Sequence, residues 1–260
     1  ISPSGGSHNV IKADINELYQ QFGGGIPKHI NGIRRFAHFM HDQATNKPVG
    51  LFLLGKGLQE ATIGSILGYR YNSTLANQCL IPSFGNPPSD VCITAGLDGV
   101  TEITPLIPTG RISARTNDEL QEYLEKVIEY ENQQDSTHVY DFNNKDWQKQ
   151  IIHFTGGGDG QQQQDFKAYL DDMADIISDS LYGANTISYN KEDANPFEPA
   201  DLNTITQRIE DGLSLMTYFG HSNATTSGFE INLDAPQNWN NYGKYPLMLV
   251  NSCYNGNIFQ

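Results

Sequence analysis

Two apolar stretches near the end of the chain decide the fold: GLSLMTYFGHS, residues 212–222, and YPLMLVNSC, residues 245–253. Each is a short apolar run bounded by turn residues, which is typical of a strand buried on both faces of a parallel sheet. In open α/β sheets, functional residues lie just beyond the carboxyl ends of the strands. If the two strands are parallel neighbours, His221 and Cys253 lie side by side at the same edge of the sheet.

A histidine beside a cysteine is an arrangement that supports nucleophilic catalysis. A free thiol is mostly protonated at neutral pH, and an adjacent imidazole shifts it toward the reactive thiolate. The alternative is structural, because a cysteine that ends an apolar strand is commonly a small buried side chain. A lone histidine is likewise commonly a surface or core residue. The pair alone leaves both interpretations open.

The composition of the chain limits the kinds of partner that it is expected to bind. The 260 residues carry 16 Lys and Arg against 30 Asp and Glu, a net charge of -14, and no basic cluster exceeds Arg34-Arg35. This balance argues against a nucleic-acid or anionic-membrane partner. A hydrophobic content of 38% is sufficient for a core. No apolar run approaches the roughly 20 residues of a membrane-spanning helix.

The three cysteines are too few for a disulfide scaffold. Cys79 and Cys92 either pair within a loop rich in Pro and Gly, which leaves Cys253 free, or all three are reduced. No Cys-x-x-Cys or His-x-x-x-His spacing is present, so we expect no zinc site. We predict no cofactor, and a structural calcium ion is left open.

Strand and helix patterns alternate along the chain, which predicts an α/β fold with a mostly parallel sheet flanked by helices. Beyond the two apolar stretches, strands are predicted at residues 48–54, 107–114, 150–154 and 186–189. Helices are predicted at residues 14–22, 31–43, 117–131, 162–181 and from a cap at Asp201 to about 211. The strand at 48–54 is expected to be buried, and residues 71–101 are expected to be loop.

The helix at 117–131 has a start signal and an apolar face. Thr116, with Glu119 three residues later, forms a capping box. The apolar face comprises Leu120, Leu124, Val127 and Ile128. The glycine-rich loop at 156–160 is expected to be a turn or a wall of a substrate cleft, since its Asp159 and the acidity of the chain disfavour phosphate.

Three stretches resemble the gingipain family of secreted cysteine peptidases, which are relatives of caspases, legumain and clostripain. The first is TGRISA (109–114) with its helix, similar to the family's Gly-Arg-Phe/Ile-Ser strand. The second is LMTYFGH (215–221), similar to a strand that ends in Gly-His-Gly. The third is NSCYNG (251–256), similar to the Ala-Cys-x-Asn-Gly around the nucleophile. They stand in the family's order and cover roughly residues 107–260.

The resemblance implies a caspase-like sheet and a His–Cys dyad. Cys253 would attack the scissile carbonyl, and His221 would polarise the thiol and protonate the leaving amine. The backbone N–H groups of Cys253 and Ser222 would form the oxyanion hole. Ser222 stands where the family has glycine, which accepts backbone angles that other residues disfavour.

Two carboxylates are candidates for the substrate pocket, Asp159 and Asp165. The carboxylate that orients the histidine in gingipains falls at Gly156 here, and Asp159 is its candidate substitute. Asp165 is the nearest candidate for the acidic floor of the primary specificity pocket, which would favour Arg or Lys. The alternative for Asp165 is a first-turn acid that the helix dipole favours.

The resemblance also predicts the domain organisation. Residues 1–133 are interpreted as a smaller, partial N-terminal α/β subdomain, and residues 134–260 as the caspase-like catalytic subdomain, with polar residues 132–137 at the boundary. The chain lacks a start methionine and stops at Gln260, soon after Cys253. A central strand normally needs later elements to cover it, so we expect a piece of a longer protein whose C-terminal part and export signal are missing.

The resemblance and the candidate site residues predict three alternative functions. The first is a cysteine-type endopeptidase that cleaves peptide bonds through an acyl-enzyme thioester. The second is the sortase of the type IX secretion system, which cleaves a C-terminal signal and transfers the new end to a surface anchor. The third is a catalytically inert surface or partner-binding module on the same scaffold, which Ser222 and the missing carboxylate favour. The expected location is secreted or cell-surface, and the expected partners are a protein or peptide substrate and type IX components.

Overall fold

The named strands of the chain form two parallel β-sheets. The structure, a computed structural model, describes residues 8–58, 73–85, 88–99, 103–135, 140–191, 199–222 and 238–253. The chain divides into two units, one with the described residues up to Tyr123 and one with those from Leu124 on. This division falls inside the helix Asn117–Asp135. The assignment of residues 1–133 and 134–260 to two subdomains stays a prediction.

The first unit is built on a two-stranded parallel sheet. Its elements in chain order are α1 (Ile15–Gln21), α2 (Asn31–Gln43), β1 (Leu51–Leu54), α3 (Ser73–Gln78), α4 (Val91–Thr94), a 3-10 turn (Leu97–Gly99) and β2 (Thr109–Ile112). β1 pairs with β2 from Leu51 opposite Thr109 to Leu54 opposite Ile112. Asp14 caps α1, because its carboxylate accepts the Asn16 N–H at 2.8 Å.

Two expectations for the first unit are wrong. β1 is not buried on both faces: Leu53 lies in the core, whereas Phe52 is 60% exposed and Leu54 is 49% exposed. A two-stranded sheet that helices cover on one side leaves alternate residues in solvent. Residues 71–101 are not all loop, since α3, α4 and the 3-10 turn lie there. Helices of one or two turns are too short to show a period in the sequence.

Arg111 on β2 is the buried ionic centre of the first unit. Its side chain is 3% exposed and pairs with Asp90 in a two-pronged geometry, Nε to Oδ2 at 2.7 Å and Nη2 to Oδ1 at 2.8 Å. Its Nη1 also donates to the carbonyls of Gly55 and Ile81 at 2.6 and 2.8 Å, and Nη2 donates to that of Pro82 at 3.2 Å. The arginine of the TGRISA stretch therefore joins β2 to two loops.

The second unit is built on a four-stranded parallel sheet in the order β4-β3-β5-β6. Its elements are α5 (Asn117–Asp135), which begins in the first unit, α6 (Phe142–Lys145), a 3-10 turn (Asp146–Lys149), β3 (Gln150–Thr155), α7 (Gly160–Ile177), β4 (Asn185–Asn190), α8 (Pro199–Asp211), β5 (Leu215–Phe219) and β6 (Leu247–Asn251). The three ladders that join these strands are parallel. The predicted α/β fold with a mostly parallel sheet is confirmed.

The core of the second unit lies between its central strands and α8. Its buried members are Ile152, Phe154, Ile205, Ile209, Leu213, Met216 and Tyr218, with Tyr189 and Trp239 packed against them. Ile205 and Ile209 are four residues apart, so they share one face of α8. β3 and β5 are thereby packed into the core, and His221 follows the end of β5.

Three expectations for the second unit are wrong. β6 is not buried: its apolar residues are 37–62% exposed, and it is the edge strand of the described sheet. Leu124 and Ile128, expected on a packed face of α5, are exposed. α8 begins at Pro199, so Asp201 lies in its first turn rather than at its cap. An apolar pattern predicts an element but does not tell whether another element covers it.

The capping box at the start of α5 forms in altered shape. Thr116 Oγ1 accepts the Glu119 N–H at 3.2 Å, as predicted. The Glu119 carboxylate accepts from the backbone N–H of Arg115 at 2.7 Å and also pairs with its guanidinium. The side-chain hydrogen bond from the Arg115 guanidinium, together with the backbone hydrogen bond from Arg115, lowers the pKa of Glu119. None of the helices in the described part of the chain is long and apolar enough to cross a membrane.

Candidate active site

The ends of β5 and β6 bring the two predicted catalytic residues to one edge of the sheet. Their last registered pair is Phe219 opposite Asn251, and Gly220 N–H then donates to the Asn251 carbonyl at 3.2 Å. His221 and Cys253 each follow that pair by two residues. Side chains alternate along a strand, so the two residues leave the sheet from matching positions of the pleat. Both are exposed.

Serine hydroxyls tie these two strand ends together. Ser222 Oγ donates a short hydrogen bond to the Cys253 carbonyl, and Ser252 Oγ lies 2.6 Å from Ser222 Oγ. Among the described residues other than glycine, positive φ occurs at Lys28, so Ser222 has a backbone φ that any residue adopts. A serine is therefore compatible with this position, and its side chain links the two segments that carry His221 and Cys253.

The amino-terminal part of α7 holds the His221 ring. Its Nε2 lies 2.8 Å from Gln162 Oε1, and the same oxygen accepts the Gly158 N–H at 3.0 Å. One turn further along α7, the Phe166 ring meets the imidazole edge-on with centroids 6.0 Å apart and stacks on Phe219 at 4.3 Å. The imidazole thus has one polar and one aromatic contact from the same helix face.

Tyr218 packs beneath the histidine and fills the space beside two glycines. Its hydroxyl donates to the His221 carbonyl at 2.5 Å. A Cβ on Gly156 would lie 2.9 Å from the tyrosine oxygen and 3.1 Å from the Cα of Gly220. A Cβ on Gly220 would lie 2.6 Å from the same oxygen. Because such contacts are shorter than real Cβ atoms make, neither glycine has room for a side chain.

We expect Tyr218→Phe to lower the free energy of unfolding by about 1 kcal/mol, because it leaves the His221 carbonyl without its hydrogen bond. Urea unfolding followed by tryptophan fluorescence measures this, since both tryptophans lie in the second unit. Tyr242→Phe is the matched control, because that ring is exposed and its hydroxyl is not in this contact. An equal effect of the two substitutions would contradict the role of the Tyr218 hydroxyl.

Comparisons with known proteins identify the family. The model of peptidase family C25 matches residues 3–260. The chain belongs to peptidase family C25. The fold is similar to gingipain R (RgpB), an Arg-specific cysteine proteinase, with a TM-score of 0.62 and 17% identity over 95% of this chain and 53% of that one. The resemblance to the gingipain family is confirmed.

A second solved structure has the same fold, the complex of the pro- and mature domains of RgpB from Porphyromonas gingivalis. Its TM-score is 0.60 at 16% identity, again over 95% of this chain and 53% of that chain. The C25 chain thus spans about half the length of these gingipain chains. No curated protein matches it at a significant level.

The two predicted pocket carboxylates of the C25 chain lie in the first turns of α7. Asp159 is the cap residue, and its Oδ1 accepts the Gln162 N–H at 2.9 Å. Asp165 Oδ1 accepts from the Gln161 side chain at 2.9 Å. Within the described residues, the side chain that accepts a hydrogen bond from the His221 imidazole is Gln162 and not Asp159. Substrate contacts by Asp159 and Asp165 stay predictions.

Cys79 and His153 lie in the core, unlike the exposed thiol and imidazole at the sheet edge. Cys79 is fully buried, and burial raises the pKa of its thiol. His153 on β3 is fully buried, and burial lowers the pKa of its imidazole, so it stays neutral in the core. All three cysteines are free, with Cys92 partly buried and Cys253 exposed. Cys253 is therefore the thiol most open to a substrate.

Three residues of this site were not among those predicted from the sequence: Gln162, Tyr218 and Ser252. Gln162 had a usable signal, because it follows the Asp159 cap by three residues on the helix after β3, the strand that neighbours β5. Side chains in the first turn of such a helix lie at the same edge of the sheet as the end of β5. Tyr218 on β5 and Ser252, which directly follows β6, have contacts that depend on the register of these two strands.

Some expectations concern residues outside the described ranges. Residues 192–198, residues 223–237 and the end of the NSCYNG stretch lie there. The sequence leaves two interpretations of the loop at 223–244, a wall of the cleft or ordinary packing; of its described residues, Trp239 packs on the core and Tyr242 is exposed. The described residues contain no group of three or more metal-ligating side chains that could hold an ion. The question of structural calcium stays open to experiment.

Proposed function

We propose that the C25 chain forms part of a cysteine endopeptidase in which Cys253 is the nucleophile and His221 the general base. The observation that carries this proposal is the parallel β5–β6 register, in which the two residues follow the same ladder pair at the carboxyl edge of the sheet. Membership of peptidase family C25 supports it. The exposure of Cys253, against the burial of Cys79, supports it further.

The reaction follows from the two side chains. The imidazole of His221 takes the thiol proton, and the Cys253 sulfur attacks the scissile carbonyl carbon. The oxygen that becomes negative is held by the backbone N–H groups of Ser222 and Cys253. The C–N bond then breaks as the imidazolium gives its proton to the leaving amine, which leaves a thioester. A water molecule, deprotonated by the same imidazole, attacks the thioester and restores the thiol.

Substrate choice and location are part of the same proposal. Asp159 and Asp165 stand at the start of α7, on the helix that also contacts His221, and two carboxylates there favour a basic side chain in the substrate. The related gingipain R is Arg specific, which agrees with a preference for Arg or Lys. We place the whole protein outside the cell or at its surface, with a protein or peptide substrate.

A thiol probe tests the proposal. We expect iodoacetamide to alkylate Cys253 at neutral pH at least about tenfold faster than the partly buried Cys92, because the imidazole favours the thiolate. His221→Ala should slow that alkylation about tenfold or more, since a positioned base contributes 10²- to 10⁴-fold. Cys92→Ser is the matched control and should leave the rate at Cys253 unchanged. Equal rates in His221→Ala and the unchanged protein would refute the dyad.

The products separate peptidase from sortase. We expect the full-length protein to cleave peptides after Arg or Lys and to release free carboxylic acids. In the presence of glycine amide, a sortase would instead give the amide-extended transfer product in high yield. A protein that neither reacts rapidly at Cys253 nor cleaves any peptide would be the inert module.

A further inference from the structure

We propose that Gln162 is the positioning residue of the dyad: its neutral side-chain amide holds the His221 ring with Nε2–H bonded and Nδ1 free to act as the base. The inference rests on the proposed function, because it assigns the residue that orients the base in that reaction. It also assigns to a glutamine on α7 the task that sequence analysis gave to a carboxylate near Gly156.

The direction of the amide is fixed by a backbone donor. Gly158 N–H donates to Gln162 Oε1 at 3.0 Å, and an amide nitrogen cannot accept such a bond. The oxygen of Gln162 therefore faces the site, and the amide cannot be turned around. The atom 2.8 Å from His221 Nε2 is thus an acceptor.

The tautomer of the histidine follows from this acceptor. Because Gln162 Oε1 carries no hydrogen, His221 Nε2 must carry the shared proton. In a neutral imidazole one nitrogen donates and the other accepts, so Nδ1 keeps its lone pair. Nδ1 is then the nitrogen that takes a proton from the thiol. The contact selects both the orientation of the ring and the nitrogen that acts.

The glutamine itself is held at both ends. Its backbone N–H donates to the Asp159 cap at 2.9 Å, and its side-chain oxygen is bonded to Gly158. A Cβ on Gly158 would lie 3.3 Å from that oxygen and 3.8 Å from the imidazole Cδ2, so glycine leaves room for the contact. Phe166, one turn on, meets the imidazole edge-on with ring centroids 6.0 Å apart. The Gln162 side chain therefore loses little additional conformational entropy when it contacts the imidazole.

No carboxylate among the described residues bonds to the imidazole. From α7 it meets Gln162 and Phe166, and from the preceding loop Gly158. At the β6 end the Ser252 hydroxyl bonds to that of Ser222 at 2.6 Å, and Cys253 is the next residue. The two acids in the first turns of α7 are engaged elsewhere, Asp159 with the Gln162 N–H and Asp165 with Gln161. A neutral acceptor orients the ring without the extra stabilisation of imidazolium that an anion gives.

The test combines a spectroscopic and a chemical readout in the full chain. In Cys253→Ala protein with ¹⁵N-labelled histidine, we expect a protected Nε2–H proton for His221 and an unprotonated Nδ1 at high pH. Gln162→Ala should lose that protected proton. In protein that keeps Cys253, Gln162→Ala should slow iodoacetamide alkylation about 3- to 10-fold, the loss of one hydrogen bond, and by less than His221→Ala slows it. Gln161→Ala should change neither.

Gln162→Glu keeps the shape and adds a charge. The NMR titration of His221 should move up by about one pH unit or more in that variant, because an anion then faces the imidazolium. Gln164→Glu, which adds the same charge at an exposed neighbouring position, should shift it far less. Equal shifts in the two glutamate variants, or an unprotected Nε2–H in the parent protein, would overturn the assignment.

The two proposals fail in distinguishable ways. If Cys253 proves unreactive while the protected proton and the Gln162→Glu shift are observed, the contact stands and the peptidase function falls. If alkylation depends on His221 but not on Gln162, the dyad stands and the positioning role falls.

Discussion

Arg111→Met should lower the free energy of unfolding of the first unit by about 3–5 kcal/mol, the usual cost of breaking a buried ion pair on one side. The substitution leaves the Asp90 carboxylate and three backbone carbonyls without the donors they have now. Domains are stable by only about 5–15 kcal/mol, so this change removes a large fraction of the total. The arginine of the TGRISA stretch thus has a structural role in the first unit.

Hydrogen exchange of peptides that contain β1 and β2 measures this effect, because local opening free energies separate one unit from the other. Arg115→Met is the matched control: that guanidinium is exposed, and its pair with Glu119 is a surface pair of small value. Arg111→Met combined with Asp90→Leu should lose less than the single change, since no buried charge is then left unpaired. Exchange in Arg111→Met equal to that in Arg115→Met would show that the pair is not structural.

Phe154→Ala should destabilise the second unit by about 3–5 kcal/mol. The ring is 1% exposed in the centre of the core and stacks on Tyr189 at 5.7 Å. Its strand, β3, pairs with both β4 and β5, so the cavity forms beneath the strand that leads to His221. Urea unfolding followed by Trp147 and Trp239 fluorescence reports on this unit.

Phe142→Ala is the control, because that phenylalanine in the same unit is 76% exposed. It should leave the unfolding midpoint nearly unchanged. A further consequence separates stability from chemistry: below the unfolding transition, alkylation of Cys253 in Phe154→Ala should keep its dependence on His221. Similar midpoints for the two alanine variants would be inconsistent with the described core.

The α/β fold was predictable because the central strands are apolar and short and alternate with helices. β3 and β5 are buried as expected, and α2 has the predicted bounds. β6 has the same kind of apolar sequence but lies exposed at the sheet edge. Apolar content measures the tendency of a segment to be covered, and only the three-dimensional arrangement decides whether a neighbour covers it.

The candidate site was predictable in part for a related reason. Neighbouring parallel strands end at one edge, so His221 and Cys253 were expected together provided that their strands were neighbours, and β5 and β6 do pair. The Gln162 contact joins residues 59 positions apart and depends on the rotation of α7 about its axis. The packing of Tyr218 against Gly156 depends on side-chain volume across two strands. Neither quantity is encoded in a local pattern of sequence.

The fit of Tyr218 against Gly156 restricts how this site can evolve. An acid at position 156 would collide with the tyrosine hydroxyl, and a smaller residue at 218 would leave a void that the glycine cannot fill. Each single replacement is therefore unfavourable, whereas the paired exchange removes the contact with the hydroxyl and leaves the 3.1 Å approach to the Gly220 Cα, which a small backbone shift relieves. Positions 156 and 218 should covary among homologues: lineages with tyrosine keep glycine and an amide partner for the histidine, and lineages with an acid carry a smaller residue at 218.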